Sequence, residues 1–102
     1  MLTSTNNLTK NRIVQILEKH KRDIQRYKVR KLGLFGSYLK KKQHKASDID
    51  ILVSFDEVTF DNYMELKFLL EKMFCKKIDL VTEESLKPAL EYIKEDALYA
   101  KI

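Results

Sequence analysis

The sequence predicts an α/β domain in which a small mixed sheet of three or so strands is flanked by helices. Two observations support this fold class. Segments with apolar residues at helical spacing alternate along the chain with short runs of β-branched and aliphatic residues. Hydrophobic residues make up 44 % of the 102 residues, which is enough for one core. We therefore expect a single domain over residues 1–102, with residues 1–8 frayed at its start.

The first half of the chain is predicted to form a helix, a strand and a turn. Residues 13–27 place apolar side chains mostly at helical spacing, which predicts one long helix. Val29–Phe35 predicts the first strand, and Gly36 ends it. Ser37 is expected to cap a short helix, and the lysine-rich residues 40–46 are expected to form a loop.

The second half repeats this alternation. Residues 48–55 are dense in β-branched and aliphatic side chains and predict a mostly buried second strand. Helical spacing predicts a second long helix over residues 59–75, and the apolar neighbours of Cys75 suggest that its thiol is buried. Residues 77–81 predict a short third strand, and residues 86–98 predict a last helix.

The composition limits the classes of function. The net charge is +5, from 20 basic and 15 acidic residues, which indicates a polyanionic ligand or partner, or simply a charge that keeps the protein in solution. No apolar run approaches the roughly 18 residues of a membrane span, and the first residues lack the pattern of a signal peptide. We expect a cytoplasmic protein without membrane contact. With one cysteine, no internal disulfide is possible.

Three aspartates are the candidate metal ligands and catalytic groups. Asp48 and Asp50 are one residue apart in the predicted second strand, so their side chains share one face of the sheet. Asp79 is an isolated carboxylate in the apolar third strand and would complete a triad if it lay beside them. Mg²⁺ accepts such carboxylates together with water and phosphate oxygens. The alternative is a solvated or capping pair of acids.

A possible phosphate site precedes these carboxylates. Gly36 lets the backbone approach a ligand closely, and Ser37 offers a hydroxyl and exposed amides. The lysines at positions 40–42 follow directly. Taken alone, each feature has a simpler explanation, as a turn with a capped helix or as a solvated basic loop. Together they predict a triphosphate cradle that faces a metal site.

The order of these residues resembles a known family. Gly36-Ser37, ten further residues, Asp48-Ile49-Asp50 and a later Asp79 resemble the signature of the DNA polymerase beta-like nucleotidyltransferase superfamily. More closely, the chain resembles a minimal nucleotidyltransferase from about Val29 through its last predicted helix. This resemblance implies a fold like the palm of polymerase beta, with ATP as substrate and one or two Mg²⁺ ions as cofactor.

The resemblance also implies roles for individual residues. Gly36 and Ser37 would bind the β- and γ-phosphates, with Lys40 as a third nucleotide-binding residue. Asp48 and Asp50 would hold Mg²⁺. Asp79 would complete the metal site and favour attack by the acceptor hydroxyl. The products would be a nucleotidylated acceptor and pyrophosphate.

Minimal nucleotidyltransferases are similar to antitoxins whose partner is a helical HEPN-domain ribonuclease. The resemblance implies transfer of AMP from ATP to a tyrosine near the active site of that toxin, and it leaves the oligomeric state, homo- or hetero-oligomer, open. Tyr92 and Tyr99, on the predicted last helix, would serve either a partner surface or the core. One alternative is an antitoxin that only occludes its partner. Another is a nucleic-acid-binding module that uses basic residues of the first helix, but the sequence has no basic and aromatic stripe for it; those residues are Arg12, Lys19, Arg22 and Arg26.

The chain departs from the family pattern after Ser37. Many members have Gly-Ser-x-Ala-Arg-Gly, whereas Leu39, Lys40 and Lys41 fill the last three places here. Lys40 keeps the positive charge but lacks the planar fork of arginine. Lys41 puts a side chain at a position where the loop is expected to need a positive φ angle.

Overall fold

The computed structural model describes residues 8–44 and 47–102, and over these it confirms an α/β fold with a mixed sheet flanked by helices. Four strands and four helices are present in these two ranges. In chain order they are α1 (Lys10–Lys19), α2 (Lys21–Gln25), β1 (Val29–Phe35), β2 (Ile49–Phe55), α3 (Phe60–Phe74), β3 (Ile78–Thr82), α4 (Tyr92–Asp96) and β4 (Leu98–Tyr99). Two 3₁₀ turns, Glu83–Ser85 and Pro88–Leu90, join β3 to α4.

The sheet has the strand order β3-β2-β1-β4. β1 is antiparallel to both β2 and β4, while β2 and β3 are parallel. The parallel pair needs a crossover connection, which α3 supplies. β1 and β2 are therefore the two central strands, and the loop between them lies at one end of the sheet.

One face of the sheet packs against the helices and forms the core. Alternation along β2 points Ile49, Ile51 and Val53 to this face, and none of them is exposed to solvent. Helices α1, α2 and α3 contribute residues that are also fully or almost fully buried, at helical spacing in α1 and α3. These are Ile13 and Leu17 of α1, Ile24 of α2, and Leu66, Leu70 and Phe74 of α3.

The prediction of one long first helix is wrong, because the helix is interrupted at His20. The backbone of His20 leaves the helical region, with φ −105° and ψ 23°. Its N–H donates to the carbonyls of both Ile16 and Leu17, and its Nδ1 lies 2.9 Å from the Ile16 carbonyl oxygen. These contacts use the last carbonyls of α1, so a separate helix, α2, follows.

The start of the chain differs from the prediction at one described residue. Leu8 belongs to the predicted frayed segment but is buried in the core, with 7 % of its surface exposed. Residues 1–7 of that segment lie outside the described residues, as do residues 45 and 46 of the predicted loop. No helix in the described part of the chain is long and apolar enough to cross a membrane.

Helix α3 confirms the second predicted helix, with Thr59 as its N-cap. The Thr59 hydroxyl accepts a hydrogen bond from the Asn62 N–H at 3.0 Å. Cys75 ends the helix in the left-handed region, with φ 53°, and is exposed, so the prediction of a buried thiol is wrong. The left-handed cap turns Cys75 away from the core, whereas its neighbour Phe74 is buried.

The predicted last helix is also wrong. Pro88 opens a 3₁₀ turn, and only Tyr92–Asp96 is α-helical before the chain extends into β4. In β4, Tyr99 pairs with Gly33 of β1, and a Cβ on Gly33 would lie 2.9 Å from the Tyr99 ring. This pairing takes the end of the chain into the sheet as a fourth strand. Tertiary pairing therefore overrides the helical spacing of the apolar residues.

Candidate active site

The candidate site lies where β1 ends and β2 begins. In the register of the sheet, Asp50 of β2 is directly opposite Phe35 of β1 on one side and beside Asp79 of β3 on the other. Directly paired residues point their side chains to the same face. The sheet therefore brings the carboxylates of Asp50 and Asp79 together, on the face opposite the apolar core residues of β2.

Gly36 connects this pair to the turn after β1. Its φ is +78°, in the left-handed region that favours glycine. A Cβ at this position would lie 1.9 Å from Oδ2 of Asp50, which is an impossible contact. Two separate features therefore require glycine at position 36, namely the positive φ angle and the contact with the Asp50 carboxylate. The close approach that the sequence predicted at Gly36 is made to Asp50 of the protein itself.

Ser37 follows in a hydrogen-bonded turn, and the predicted short helix is absent from the described chain after it. Its backbone N–H donates a hydrogen bond to the Asp50 carboxylate. The turn continues as the Lys40 N–H donates to the Gly36 carbonyl at 3.1 Å and the Lys42 N–H to the Ser37 carbonyl at 2.9 Å. The next side chain, Tyr38, is buried, which fixes the turn to the core.

The Asp50 carboxyl group has a pKa raised to about 6. Burial is the largest cause, followed by the negative charge of Asp79 and a hydrogen bond between the two carboxyl groups. The Ser37 N–H acts in the opposite direction and lowers the pKa. The charge of Asp48 raises it least. The site thus concentrates negative charge that the nearby backbone N–H only partly offsets.

Asp48 is the outer member of the predicted triad. It is half-buried and lies one residue before β2 begins. Within residues 8–44 and 47–102, no three histidine, cysteine or acidic side chains are grouped closely enough to hold a metal ion. The three-carboxylate metal site therefore stays a prediction. The adjacent pair, Asp50 and Asp79, fits Mg²⁺, which takes one or two carboxylates and completes its shell with water and phosphate oxygens.

The two lysines of the turn differ in their backbone. Lys41 has φ 59°, which confirms the expected positive angle at the place where many family members have glycine. Lys40 is exposed beside the Gly36 turn, and its role as a nucleotide-binding residue stays a prediction. A non-glycine residue in the left-handed region costs about 1 to 2 kcal/mol. The turn therefore keeps its shape at some cost in stability.

Tyr63 is a neighbour of the site that no pattern in the sequence indicates. From α3 its hydroxyl donates to the Leu80 carbonyl at 2.5 Å, at the free edge of β3. Burial and then the negative charge of Asp79 raise the pKa of this hydroxyl, so it is close enough to sense that carboxylate. Helical spacing places Tyr63 on α3 but carries no information on which strand it reaches.

Comparison with known proteins gives consistent findings. The model of the nucleotidyltransferase domain family matches residues 14–102. A Methanocaldococcus jannaschii protein provisionally named as a protein adenylyltransferase is 43 % identical over 97 residues, which cover 89 % of this chain and 97 % of that protein. The protein adenylyltransferase MntA of Thermococcus cleftensis is 39 % identical over 85 residues, which cover 81 % of this chain and 86 % of MntA.

Solved structures extend these similarities. A structure provisionally named a minimal nucleotidyltransferase superposes with a TM-score of 0.69 at 26 % identity, over 83 % of this chain and 93 % of that one. A toxin-antitoxin structure with AMP-PNP superposes with a TM-score of 0.59 at 33 % identity, over 81 % of this chain and 64 % of that one. A structure of an MNT antitoxin in complex with a tri-AMPylated Shewanella oneidensis HEPN toxin superposes with a TM-score of 0.51 at 27 % identity. The superposition covers 76 % of this chain and 61 % of that one.

Proposed function

The chain belongs to the nucleotidyltransferase domain family, and on that premise we propose that it transfers AMP from ATP to a tyrosine hydroxyl of a HEPN-domain toxin. The transfer would make it the antitoxin of that partner. Support comes from relatives named as protein adenylyltransferases and from a similar antitoxin in complex with an AMPylated HEPN toxin. Because ATP and the RNA that such a toxin cleaves are cytoplasmic, we place the activity in the cytoplasm.

The observation that carries this proposal is the contact between the Gly36 turn and the paired carboxylates. A phosphate chain needs backbone N–H groups close to a cation site, and the turn lies directly against Asp50. A protein that only bound its partner would gain nothing from two adjacent carboxylates whose negative charges repel each other and are only partly offset by hydrogen bonds. The geometry therefore favours phosphate chemistry over simple occlusion.

Each residue of the site has a defined task in this proposal. Gly36 and Ser37 hold the β- and γ-phosphates, and Lys40 adds positive charge nearby. Asp48, Asp50 and Asp79 would hold Mg²⁺, which would neutralise charge on the phosphate oxygens when bound. The tyrosine oxygen bonds to the α-phosphorus as the bond to the pyrophosphate oxygen breaks, and Asp79 accepts the tyrosine proton.

The experiment is transfer of label from α-labelled ATP, with Mg²⁺, to the HEPN toxin encoded beside this protein. Asp50→Asn and Asp79→Asn keep the shape of the side chains and remove the charges, and we expect each to reduce transfer at least about 100-fold. Asp61→Asn is the matched control, since Asp61 is an exposed carboxylate in the first turn of α3. We expect its transfer to match the wild type.

The second candidate function is an antitoxin that blocks its partner by occlusion. It is favoured by the departures from the family turn, since Lys40 lacks the planar fork of arginine and Lys41 adds a side chain at a position with φ 59°. A stable complex that suppresses RNA cleavage without any label on the toxin would establish this function and overturn the transfer proposal. Inhibition that needs ATP and is lost in Asp50→Asn would exclude occlusion as the main mechanism.

A further inference from the structure

We propose that a cavity beside the candidate active site binds the base of the nucleotide, with Tyr92 as the residue that recognises it by stacking. The proposal rests on the proposed function, since it needs the triphosphate to bind at the Gly36 turn. The cavity has a volume of about 240 Å³. On one side it is lined by Phe35, Gly36, Leu39 and Lys40, and on the other by Tyr92, Ile93 and Asp96 of α4.

The cavity and the carboxylates share a wall. Gly36 lines the cavity, and the same residue lies against Asp50. Phe35 also lines the cavity and is the register partner of Asp50, so both side chains leave the sheet on the same face. A ligand with its phosphates at the Gly36 turn therefore has the cavity directly beside it, on the face of the sheet where the carboxylates lie.

The lining has the chemistry of a base site. Two aromatic and two aliphatic side chains supply flat and apolar contact, and one cation and one carboxylate stand among them. Whole ligand sites for drug-sized molecules have volumes of about 300 to 1,000 Å³, so this smaller space suits one ring system better than a complete nucleotide. The side chain of Tyr92 is 52 % exposed, which leaves ring surface available for a base to stack on.

The C-terminal segment explains why this cavity exists. A single long helix over residues 86–98 would not make the turns that bring α4 back to the end of β1. Instead, the two 3₁₀ turns lead into the short α4, and β4 then pairs with β1. Because β4 begins two residues after α4 ends, this pairing holds Tyr92 and Ile93 across from Phe35.

The test compares two probes, Mg²⁺-ATP and Mg²⁺-tripolyphosphate, by calorimetric titration. Tripolyphosphate has the phosphate chain of ATP without base or ribose. We expect the wild type to bind ATP more tightly than tripolyphosphate. Tyr92→Ala should weaken ATP binding about 10-fold, since stacking of a base on one aromatic ring contributes about a 10-fold gain in affinity. The same variant should bind tripolyphosphate within about 2-fold of the wild-type affinity. Tyr92→Phe keeps the ring and should bind ATP within about 3-fold of wild type.

Two further variants make the test specific. Ile93→Trp fills the cavity from its other wall and should weaken ATP binding while tripolyphosphate binding is kept. Phe68→Ala is the matched control, because Phe68 is an aromatic residue on α3 with 59 % of its surface exposed, outside the cavity lining. It should leave both affinities unchanged. Unchanged tripolyphosphate binding also shows that each variant is folded.

The possible failures can be told apart. A wild type that binds tripolyphosphate as tightly as ATP would overturn the base site and leave the phosphate site intact. Equal weakening of both probes by Tyr92→Ala, or no weakening of either, would also overturn it. If Tyr92→Ala abolished transfer to the toxin with normal ATP affinity, the cavity would bind the acceptor protein instead. A wild type that binds neither probe would overturn the proposed function together with this inference.

Discussion

Strand β2 has two faces with different properties. On one face, Ile49, Ile51 and Val53 are completely buried against the helices. On the other, Leu52 is equally buried in the middle of the strand, but Asp50 at its beginning is a half-compensated acid with a raised pKa. One seven-residue strand therefore contributes both to the apolar core and to the candidate active site. Its apolar face fixes the backbone firmly, so the other face can hold Asp50 beside Asp79 of β3.

The largest effect on stability should come from the apolar face. Ile51→Ala removes a fully buried side chain and should lower the free energy of unfolding by about 2 to 5 kcal/mol, because a cavity remains in the core. Urea unfolding followed by circular dichroism measures it. Val58→Ala is the control, since Val58 is 57 % exposed and should change stability by less than about 0.5 kcal/mol. Similar losses in both variants would contradict the contrast between buried and exposed positions.

The next largest effect on stability is expected where the Gly36 turn contacts Asp50 of β2. Gly36→Ala puts a Cβ against the Asp50 carboxylate and forces a side chain to φ +78°. We expect a loss of about 1 to 3 kcal/mol in stability and at least about 100-fold in AMP transfer. Both are measured on the same preparation, by urea unfolding and by the labelled-ATP assay.

Gly33→Ala is the matched control for that variant. Gly33 lies in β1 with an ordinary backbone angle, and an added Cβ would meet the Tyr99 ring at 2.9 Å, not a carboxylate. It should lower stability, because the ring has to move, but keep transfer within a few fold of wild type. Loss of transfer in both variants at equal stability would show that Gly36 has no special relation to Asp50.

The polar face should respond to pH in a defined direction. Asp50 has a folded-state pKa of about 6, above its ordinary value of 3.8. Its contribution to stability is therefore complete below about pH 4 and is lost as the pH rises through 6. Without Mg²⁺, Asp50→Asn should abolish this loss and raise Tm at pH 7.5 by about 2 to 4 °C, a value reduced for the partial exposure of the site.

Thermal unfolding at pH 5 and pH 7.5 checks this prediction. Added Mg²⁺ should raise Tm of the wild type at pH 7.5 and have less effect on Asp50→Asn, since the variant lacks one of the two adjacent carboxylates. A variant that is less stable than the wild type at pH 7.5 without Mg²⁺ would show that the Ser37 hydrogen bond outweighs the repulsion between the acids.

The smallest effect concerns the turn itself. Lys41→Gly removes a side chain from a residue with φ 59° and should raise the free energy of unfolding by up to about 1 kcal/mol. Lys42→Gly is the control, because Lys42 has no positive φ. This variant should lower the free energy of unfolding by up to about 1 kcal/mol, since glycine raises the entropy of the unfolded chain. Urea unfolding compares the two. Equal losses in both variants would show that Lys41 is not strained.

Much of the site could be predicted because its signals are local in the sequence. Gly36 and Ser37 follow a recognisable strand, and Asp50 lies in a second one, so the approximate positions of a turn and a carboxylate follow from short patterns. The positive φ at Lys41 could also be predicted, from the family motif. The hydrogen bond of Ser37 to Asp50 could not, because it joins the turn after β1 to strand β2, 13 residues further along the chain.

Errors in the predicted fold occur where long-range contacts decide the local structure. The apolar spacing of residues 86–98 suits a helix, yet pairing with Gly33 takes Tyr99 into the sheet. Cys75 has apolar neighbours, yet a left-handed helix cap exposes it. In both cases the local pattern permits more than one structure, and packing against distant residues selects one of them.

The amino-acid sequence alone was enough to predict the α/β class, three of the four strands, and the aspartates and Gly-Ser turn of the candidate site. These follow from periodicity and spacing, which are properties of neighbouring residues. The contact of Asp50 with Asp79, and the cavity between α4 and the end of β1, are seen only in the folded chain. The physical reason is that strand register and packing join residues far apart in the chain, and no local pattern encodes those distances.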